Sequence, residues 1–292
     1  WKSTKNRGVI VVELRDYIEE RAALVEKALE EYLPSDEFVP VSIHRSMRYS
    51  TLGGGKRIRA VLAIMASEVC EGSAQTVLPL AAALEMIHSY TLIHDDLPCM
   101  DDDDYRRGKL SNHRVFGEGI ALLAGDALLT QAFYLLTELK NNTVSIIQEV
   151  ANSIGSTGLI GGQVVDLESE DKVIDPATLE YIHRHKTGDL ITIALRGGAL
   201  ATGANDDLVE ALTTYGRQLG LLFQITDDIL DVEGDATKLG KPTGSDLAKK
   251  KATYPQVHGM VQAKEAAREA ADKAKEAIAS LDENGWALRS MV

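Results

Sequence analysis

Residues 205–231 read NDDLVEALTTYGRQLGLLFQITDDILD, and their spacing decides the fold. Apolar residues recur three and four positions apart through Leu208, Leu212, Tyr215, Leu219, Leu222 and Ile225, which is the stripe of an amphipathic helix. The same spacing runs through 11–32, 75–97, 118–139, 144–158, 177–201 and 262–281. The last of these is built from strong helix formers carrying charges of both signs. Breaks at Pro34–Pro40, Gly72–Ser73, Pro98, Asp171–Pro176, Gly203–Asp206 and Gly234–Gly244 separate the segments. Pieces with strand character, VIVVEL at 9–14 and KVI at 172–174, are too few for a sheet. No internal repeat, low-complexity tract or linker divides the chain. The expectation is one all-α domain over 1–292, a bundle of about ten or more helices, with residues 1–8 set aside.

Composition narrows the function classes. Of 292 residues, 45% are hydrophobic and 26% charged, the balance of a soluble globular protein. The formal net charge of −13 excludes a global basic field for nucleic acid, while leaving room for a local basic pocket. Two cysteines, Cys70 and Cys99, build neither a disulfide scaffold nor a four-thiolate zinc site. They point to a reducing compartment and a cytoplasmic location. No uninterrupted apolar run approaches the roughly 20 residues of a membrane span, and no signal peptide opens the chain. The sequence ends at Val292, inside what reads as the start of a last helix from Trp286, so a truncated C-terminus is expected.

The stretch LIHDDLPCMDDDDYRRG at 92–108 opens off an apolar helix and holds six aspartates within ten residues, Asp95, Asp96 and Asp101 to Asp104. Such density repels itself unless cations neutralise it. Clustered carboxylates suit Mg2+, which takes few protein oxygens and fills its shell with water and phosphate. A calcium loop of the EF-hand type fails on spacing, because Arg106 stands where its glycine is required and Asn112 where its glutamate is. The opening stretch repeats the theme: Asp227, Asp228 and Asp231 end another apolar helix, and Asp227 and Asp231 share a helical face. Two such clusters suggest a pair facing one another across a cavity, several divalent ions being bridged there by an anion such as a diphosphate.

Cations stand out against this acidic background. Gly53-Gly-Gly-Lys-Arg-Ile-Arg59 is a glycine run followed by three bases. Its backbone N–H groups can approach an anion, whose oxygens Lys56 and Arg59 can bind. It is not a Walker loop, since the GxxxxGK[ST] spacing is absent. Arg106 and Arg107 follow the aspartates, Lys186-Thr187 lies inside a predicted helix, and Lys241 lies in GKPTG at 240–244. Together they suggest two anion sites, one metal-bridged and one purely basic.

These residues carry a resemblance. GGKRIR at 54–59, EMIHSYTLIHDDLPCMDDDDYRRGK at 85–109, GDALL at 125–129, GGQVVDL at 161–167, HKTGDL at 185–190, FQITDDILD at 223–231 and GKPTGSDLAKKKATYP at 240–255 stand in the order found in bacterial-type short-chain trans-prenyl diphosphate synthases. The chain resembles the farnesyl and geranylgeranyl diphosphate synthases from about Ser42 to Pro255. The resemblance implies the isoprenoid synthase fold, a central cavity in each subunit, a homodimer, no integral membrane segment and no nucleic-acid partner. It implies three Mg2+ per active site, with Asp95, Asp101 and Asp227 as ligands and Asp96, Asp228 and Asp231 in the same motifs. Arg106, Lys186, Thr187, Gln224 and Lys241 match positions that contact the allylic diphosphate. Lys56, Arg59, His88 and Arg107 match those that hold isopentenyl diphosphate. His88 also lies seven residues before Asp95, on one helical stripe.

The implied reaction is ionisation of the allylic C–O bond, attack by the isopentenyl double bond, and proton loss to the released diphosphate. Asp95 and Asp227 would serve it through the metal. The Lys186 carbonyl, the Thr187 hydroxyl and Gln224 would stabilise the allylic cation as neutral dipoles, with water excluded. In this family, residues just upstream of the first aspartate floor the product cavity. Tyr90, five residues upstream, favours a fifteen-carbon product; Thr91, four upstream, falls on the stripe below Asp95 and leaves geranylgeranyl diphosphate as the alternative. Ala60 departs from the family's usual proline, and relatives continue past Val292 with an end that helps close the site. A terpene cyclase would carry an Asn/Ser/Glu motif in place of the second aspartate cluster, and a non-catalytic subunit would have lost aspartates; both readings fit less well.

Overall fold

The computed structural model describes residues 2–233, 252–281 and 283–292, with side chains from Glu13 onward. The break read at Gly234–Gly244, and Lys241 within it, lie outside the described residues. The fold is all-α, apart from a two-residue pairing of Tyr105–Arg106 (β1) with Lys109–Leu110 (β2). Cα packing divides the chain into two compact units, one of residues 1–147 with 197–204, the other of 148–196 with 205–292.

The first unit holds α1 (Lys2–Tyr32), α2 (Val41–Thr51), α3 (Ile58–Val69), α4 (Ala74–Asp95), α5 (Asn112–Phe116) and α6 (Glu118–Leu136). The piece VIVVEL at 9–14 is helical within α1. α3 was not foreseen, for a physical reason: Ala60 to Ser67 are buried on every side, so its sequence has no polar face to give a stripe. α4 runs through the core with Leu80, Leu84, Met86 and Ile87 buried, and packs on α3 and α6. Gly125 of α6 admits the His94 ring of α4, which a Cβ there would overlap. α4 and α6 are both long and apolar enough to cross a membrane by length and composition alone, a property the search for unbroken apolar runs did not reveal. α4 is mostly buried in protein, whereas α6 leaves Leu122, Leu123 and Tyr134 exposed.

α7 (Thr143–Ile154) leads to the second unit, which holds α8 (Leu159–Ser169), α9 (Pro176–Ile182), a π-helix (His183–Gly188), the first part of α10 (Asp189–Thr202) up to Arg196, α11 (Asp206–Glu233), α12 (Tyr254–His258), α13 (Met260–Ala277), a 3-10 turn (Glu283–Gly285) and α14 (Trp286–Ser290). Asp175 starts α9 by accepting the Thr178 N–H at 2.8 Å, with Pro176 in the first turn. Of the stripe read along 205–231, Leu212, Tyr215, Leu219 and Ile225 are buried, and α11 packs on α13, where Ala263, Ala270 and Ala274 are buried. The Tyr215 hydroxyl, fully buried, donates to the Leu288 carbonyl at 2.7 Å. The single helix expected over 177–201 is instead α9, the π-helix and α10 in succession. π-turns are rare and concentrate at functional sites.

Candidate active site

In the first unit the basic loop is built on left-handed backbone. Gly54 has φ +93°, Gly55 φ +130° and Arg57 φ +51°. Arg57 has no exposed side-chain surface. It donates from Nε to Glu26 at 2.7 Å, from Nη1 to Glu85 at 3.4 Å and from Nη2 to the Thr51 carbonyl at 2.6 Å. The second oxygen of Glu85 accepts the Ala60 N–H at 3.3 Å. Of the loop's three bases, Arg57 is therefore the lock that fixes the turn, while Lys56 is exposed and Arg59 half-buried.

Arg59 Nε is buried with no hydrogen-bond partner. Burial holds its guanidinium below the ordinary range; Glu85 opposes this and Arg107 adds to it. Arg107 lies over the glycine loop, donating from Nη1 to the Gly54 carbonyl. A Cβ on Gly55 would come within 2.9 Å of Arg107 Cζ, so the glycine leaves room for the guanidinium. Burial first, then the guanidinium groups of Arg59, Arg107, Arg57 and Arg106, hold the His88 imidazole well below its ordinary pKa. It is neutral at pH 7 and able to donate one hydrogen bond. The buried Arg59 Nε, the Arg107 guanidinium and the neutral His88 imidazole can together bind an anion.

α4 ends at Asp95. The chain then turns so that the Asp101 N–H donates to the Asp95 carbonyl at 2.8 Å and the Met100 N–H to the Leu97 carbonyl at 2.8 Å, returning Asp101 to the helix end. Asp96 is buried, and its Oδ1 accepts from Arg106 Nε at 2.9 Å and from Nη2; Nη2 also donates to Asp103 at 3.2 Å. Burial raises the Asp96 pKa, and the Arg106 hydrogen bond and charge oppose it. Tyr90 is buried, edge-on to the His94 ring at 5.6 Å, and its hydroxyl is buried without a partner. Burial and then Asp95 push that hydroxyl up to about 12. Thr91, half-buried, donates to the His88 carbonyl of its own helix at 2.8 Å.

In the second unit the π-helix carries Lys186 and Thr187, both half-buried. Gly162 of α8 and Gly220 of α11 let it approach both neighbours. A Cβ on Gly220 would come within 2.8 Å of Gly188 Cα, and one on Gly162 would overlap the Lys186 backbone nitrogen. Lys186 Nζ donates to Asp166 at 2.6 Å, and His185 Nδ1 lies 2.7 Å from Asp189. On α11, Gln224 and Asp227 are half-buried and Asp231 is buried. Asp228 is buried, and its Oδ2 accepts the Tyr254 N–H at 2.6 Å and lies 3.3 Å from His183 Nε2.

Arg57, Glu85, Asp166 and His183 were not singled out from the sequence. Glu85 could have been: a carboxylate inside the apolar run AAALEMI demands a buried partner.

The family model described as polyprenyl synthetase matches residues 40–285. The chain belongs to the polyprenyl synthetase family. Among its relatives, a farnesyl diphosphate synthase of Geobacillus stearothermophilus is 43% identical over 281 residues, spanning 94% of this chain and 94% of that one. A heterodimeric geranylgeranyl pyrophosphate synthase large subunit 1, chloroplastic, of Arabidopsis thaliana is 46% identical over 276 residues, spanning 91% and 74%. A crystal structure of geranylgeranyl pyrophosphate synthetase from Pyrococcus horikoshii superposes with a TM-score of 0.89 at 30% identity over 96% of each chain. The all-α fold and the resemblance to short-chain trans-prenyl diphosphate synthases are thereby confirmed at the level of the family.

The residues also fit the family's Mg2+. Among the described residues no three His, Cys, Asp or Glu side chains are gathered closely enough to hold a metal ion by themselves. Mg2+ does not require that, because it retains water and phosphate oxygens beside one or two carboxylates. Asp95 with Asp101, and Asp227 with Asp231, offer such oxygen donors. Asp96 Oδ1 accepts from Arg106 and Asp228 Oδ2 from the Tyr254 N–H, which leaves a second oxygen on each carboxylate.

Proposed function

We propose that the chain joins isopentenyl diphosphate to an allylic diphosphate, dimethylallyl or geranyl, and stops at farnesyl diphosphate. The observation that carries the reading is the cluster of Arg59, His88 and Arg107. A diphosphate would give the buried Arg59 Nε the acceptor it lacks and would accept from the neutral imidazole. Lys56, exposed on the same loop, would close over it.

The allylic diphosphate is assigned to the second kind of anion site. Asp95, Asp101, Asp227 and Asp231 would hold Mg2+, three ions as the family implies, and bound Mg2+ supplies charge to stabilise the departing diphosphate. Arg106, Lys186 and Lys241 would bind its oxygens; Arg106 and Lys186 are held in place by Asp96 and Asp166. The Thr187 hydroxyl, the Lys186 carbonyl and the Gln224 amide then face the allylic cation as dipoles, where a full positive charge would oppose it. The isopentenyl double bond attacks that cation, and the proton lost passes to the released diphosphate.

Tyr90 supports the fifteen-carbon stop. It is a large buried ring five residues before Asp95, and its unpartnered hydroxyl fits a place at the edge of an apolar space. Geranylgeranyl diphosphate is the alternative, favoured by relatives named for that product at 46% identity. The exposed Leu122, Leu123 and Tyr134 of α6 support a homodimer that covers this face. The whole chain is taken to work as one polyprenyl synthase domain, and the free thiols of Cys70 and Cys99 suit a cytoplasmic setting. The test is to incubate the protein with Mg2+, labelled isopentenyl diphosphate and each of three starters, then dephosphorylate and chromatograph. Farnesol as the terminal alcohol supports the assignment, geranylgeraniol moves the stop by five carbons, and no elongation from any starter overturns it.

A further inference from the structure

Resting on the prenyl-transfer reading, we propose that Asp228 and His183 are positioning residues: they fasten the end of α11 to the π-helix and to the chain at Tyr254, and Asp228 binds no metal. Asp228 and His183 are 5% and 4% exposed. Asp228 Oδ2 accepts the Tyr254 N–H at 2.6 Å and lies 3.3 Å from His183 Nε2, so one oxygen faces both the backbone and the ring. The His183 ring stacks on Tyr254 with centroids 6.2 Å apart and planes 20° apart, and Tyr254 stacks on His258 at 4.3 Å. His183 Nδ1 is buried without a hydrogen-bond partner among the described residues, and the ring's other nitrogen faces Asp228.

The placement gives the pair a task. His183 opens the π-helix that carries Lys186 and Thr187, and Gly188 closes it. Gly188 packs against Gly220 of α11, while His183 meets Asp228 of the same helix. The π-helix is thus fixed to α11 at both of its ends. On an ideal helix Asp227 and Asp231 lie about 40° apart, whereas Asp228 lies about 100° round from Asp227. Holding Asp228 inward therefore sets the rotation at which Asp227, half-buried, is presented. The same carboxylate fixes the backbone at Tyr254, in the segment that follows Lys241 in the chain.

Asparagine separates an anchor from a ligand. Asp228→Asn keeps an oxygen for the Tyr254 N–H and for His183 but removes the charge a metal ligand needs. With Asp228→Asn, turnover within about threefold of the parent and an unchanged Mg2+ requirement are expected; with Asp228→Ala, a loss of tenfold or more. Amide hydrogen exchange in the peptide over 252–258, measured without Mg2+ or substrate, is expected to quicken about tenfold in Asp228→Ala and to stay put in Asp228→Asn. Two outcomes would overturn the anchor: unaltered exchange in the alanine variant, or an asparagine variant as damaged as Asp227→Asn with a raised Mg2+ requirement. If the alanine variant does not fold, the asparagine variant decides alone. The exchange measurement needs no turnover, so it judges the anchor even if the reaction assignment fails.

Discussion

Replacing Arg57 by Ala removes a guanidinium with no exposed surface and three acceptors: Glu26 at 2.7 Å, Glu85 at 3.4 Å and the Thr51 carbonyl at 2.6 Å. Breaking a buried pair from one side strands the other charge and costs about 3–5 kcal/mol. Glu85, with 3% of its side chain exposed, is the group left stranded; Glu26, at 36%, recovers water. Stabilities of about 5–15 kcal/mol leave a folded protein after such a loss. At roughly 2–4 °C per kcal/mol, the melting temperature falls by about 6–20 °C. The loop held by Arg57 also carries Lys56 and Arg59, so the KM for isopentenyl diphosphate should rise tenfold or more while the KM for the allylic partner moves far less. Arg57→Lys should recover little, because the three donors of an ammonium sit on one nitrogen and cannot span acceptors met separately by Nε, Nη1 and Nη2. Calorimetric melting and steady-state kinetics with each substrate varied in turn provide the assay. A melting temperature lowered by less than about 2 °C, together with an unchanged KM for isopentenyl diphosphate, would refute the role given to Arg57.

Three further predictions concern His88, Tyr90 and Gly220. His88 is held well below its ordinary pKa when folded and titrates near 6.5 when unfolded, so the unfolded chain binds the extra proton and stability is lost as pH falls below about 6.5. The wild type should lose up to about 1.4 kcal/mol per pH unit there relative to His88→Gln, read from urea melts at pH 5.5 and 7; parallel curves would contradict this. Tyr90→Ala opens the space of a buried ring and should lengthen the product by at least one five-carbon unit, seen by chromatography of the alcohols; an unchanged product would place the floor elsewhere. Gly220→Ala forces a methyl toward Gly188 Cα and should cost about 1–3 kcal/mol, lowering kcat more than it raises either KM because the π-helix must shift; a variant with normal melting and kcat would show that the close approach is dispensable.

Amphipathic segments were the legible part of the fold. The stripe along α11 was readable because one side meets α13 and the other meets water or charge, and the sequence records that asymmetry. α3 was hidden because helix period and core burial cancel when every side is apolar. The π-helix was hidden too: its close packing depends on glycines of other elements, Gly162 and Gly220, which permit an approach that local spacing cannot express.

The same division holds in the site. Asp95, Asp101, Asp227, Lys56 and Arg59 declare themselves by charge density against an acidic background. The groups that hold them do not. Asp96 reads as one more aspartate yet is the partner of Arg106, and Asp228 reads as a ligand yet accepts from Tyr254 far along the chain. Which of two adjacent aspartates turns inward depends on the burial of the helix face, and that is set by elements remote in sequence.

On the proposed function, Asp95 and Asp227 would hold Mg2+, whose charge would stabilise the departing allylic diphosphate. Initial rates of elongation of geranyl diphosphate by labelled isopentenyl diphosphate, measured against Mg2+ concentration for the parent, Asp95→Ala and Asp227→Ala, test it most directly. The parent rate should rise from zero with Mg2+, and each variant should lose about a hundredfold or more, the order of an electrostatic contribution to a single step, with unchanged far-ultraviolet dichroism. Turnover at the parent rate in either variant, or elongation that proceeds equally in chelator, would contradict it.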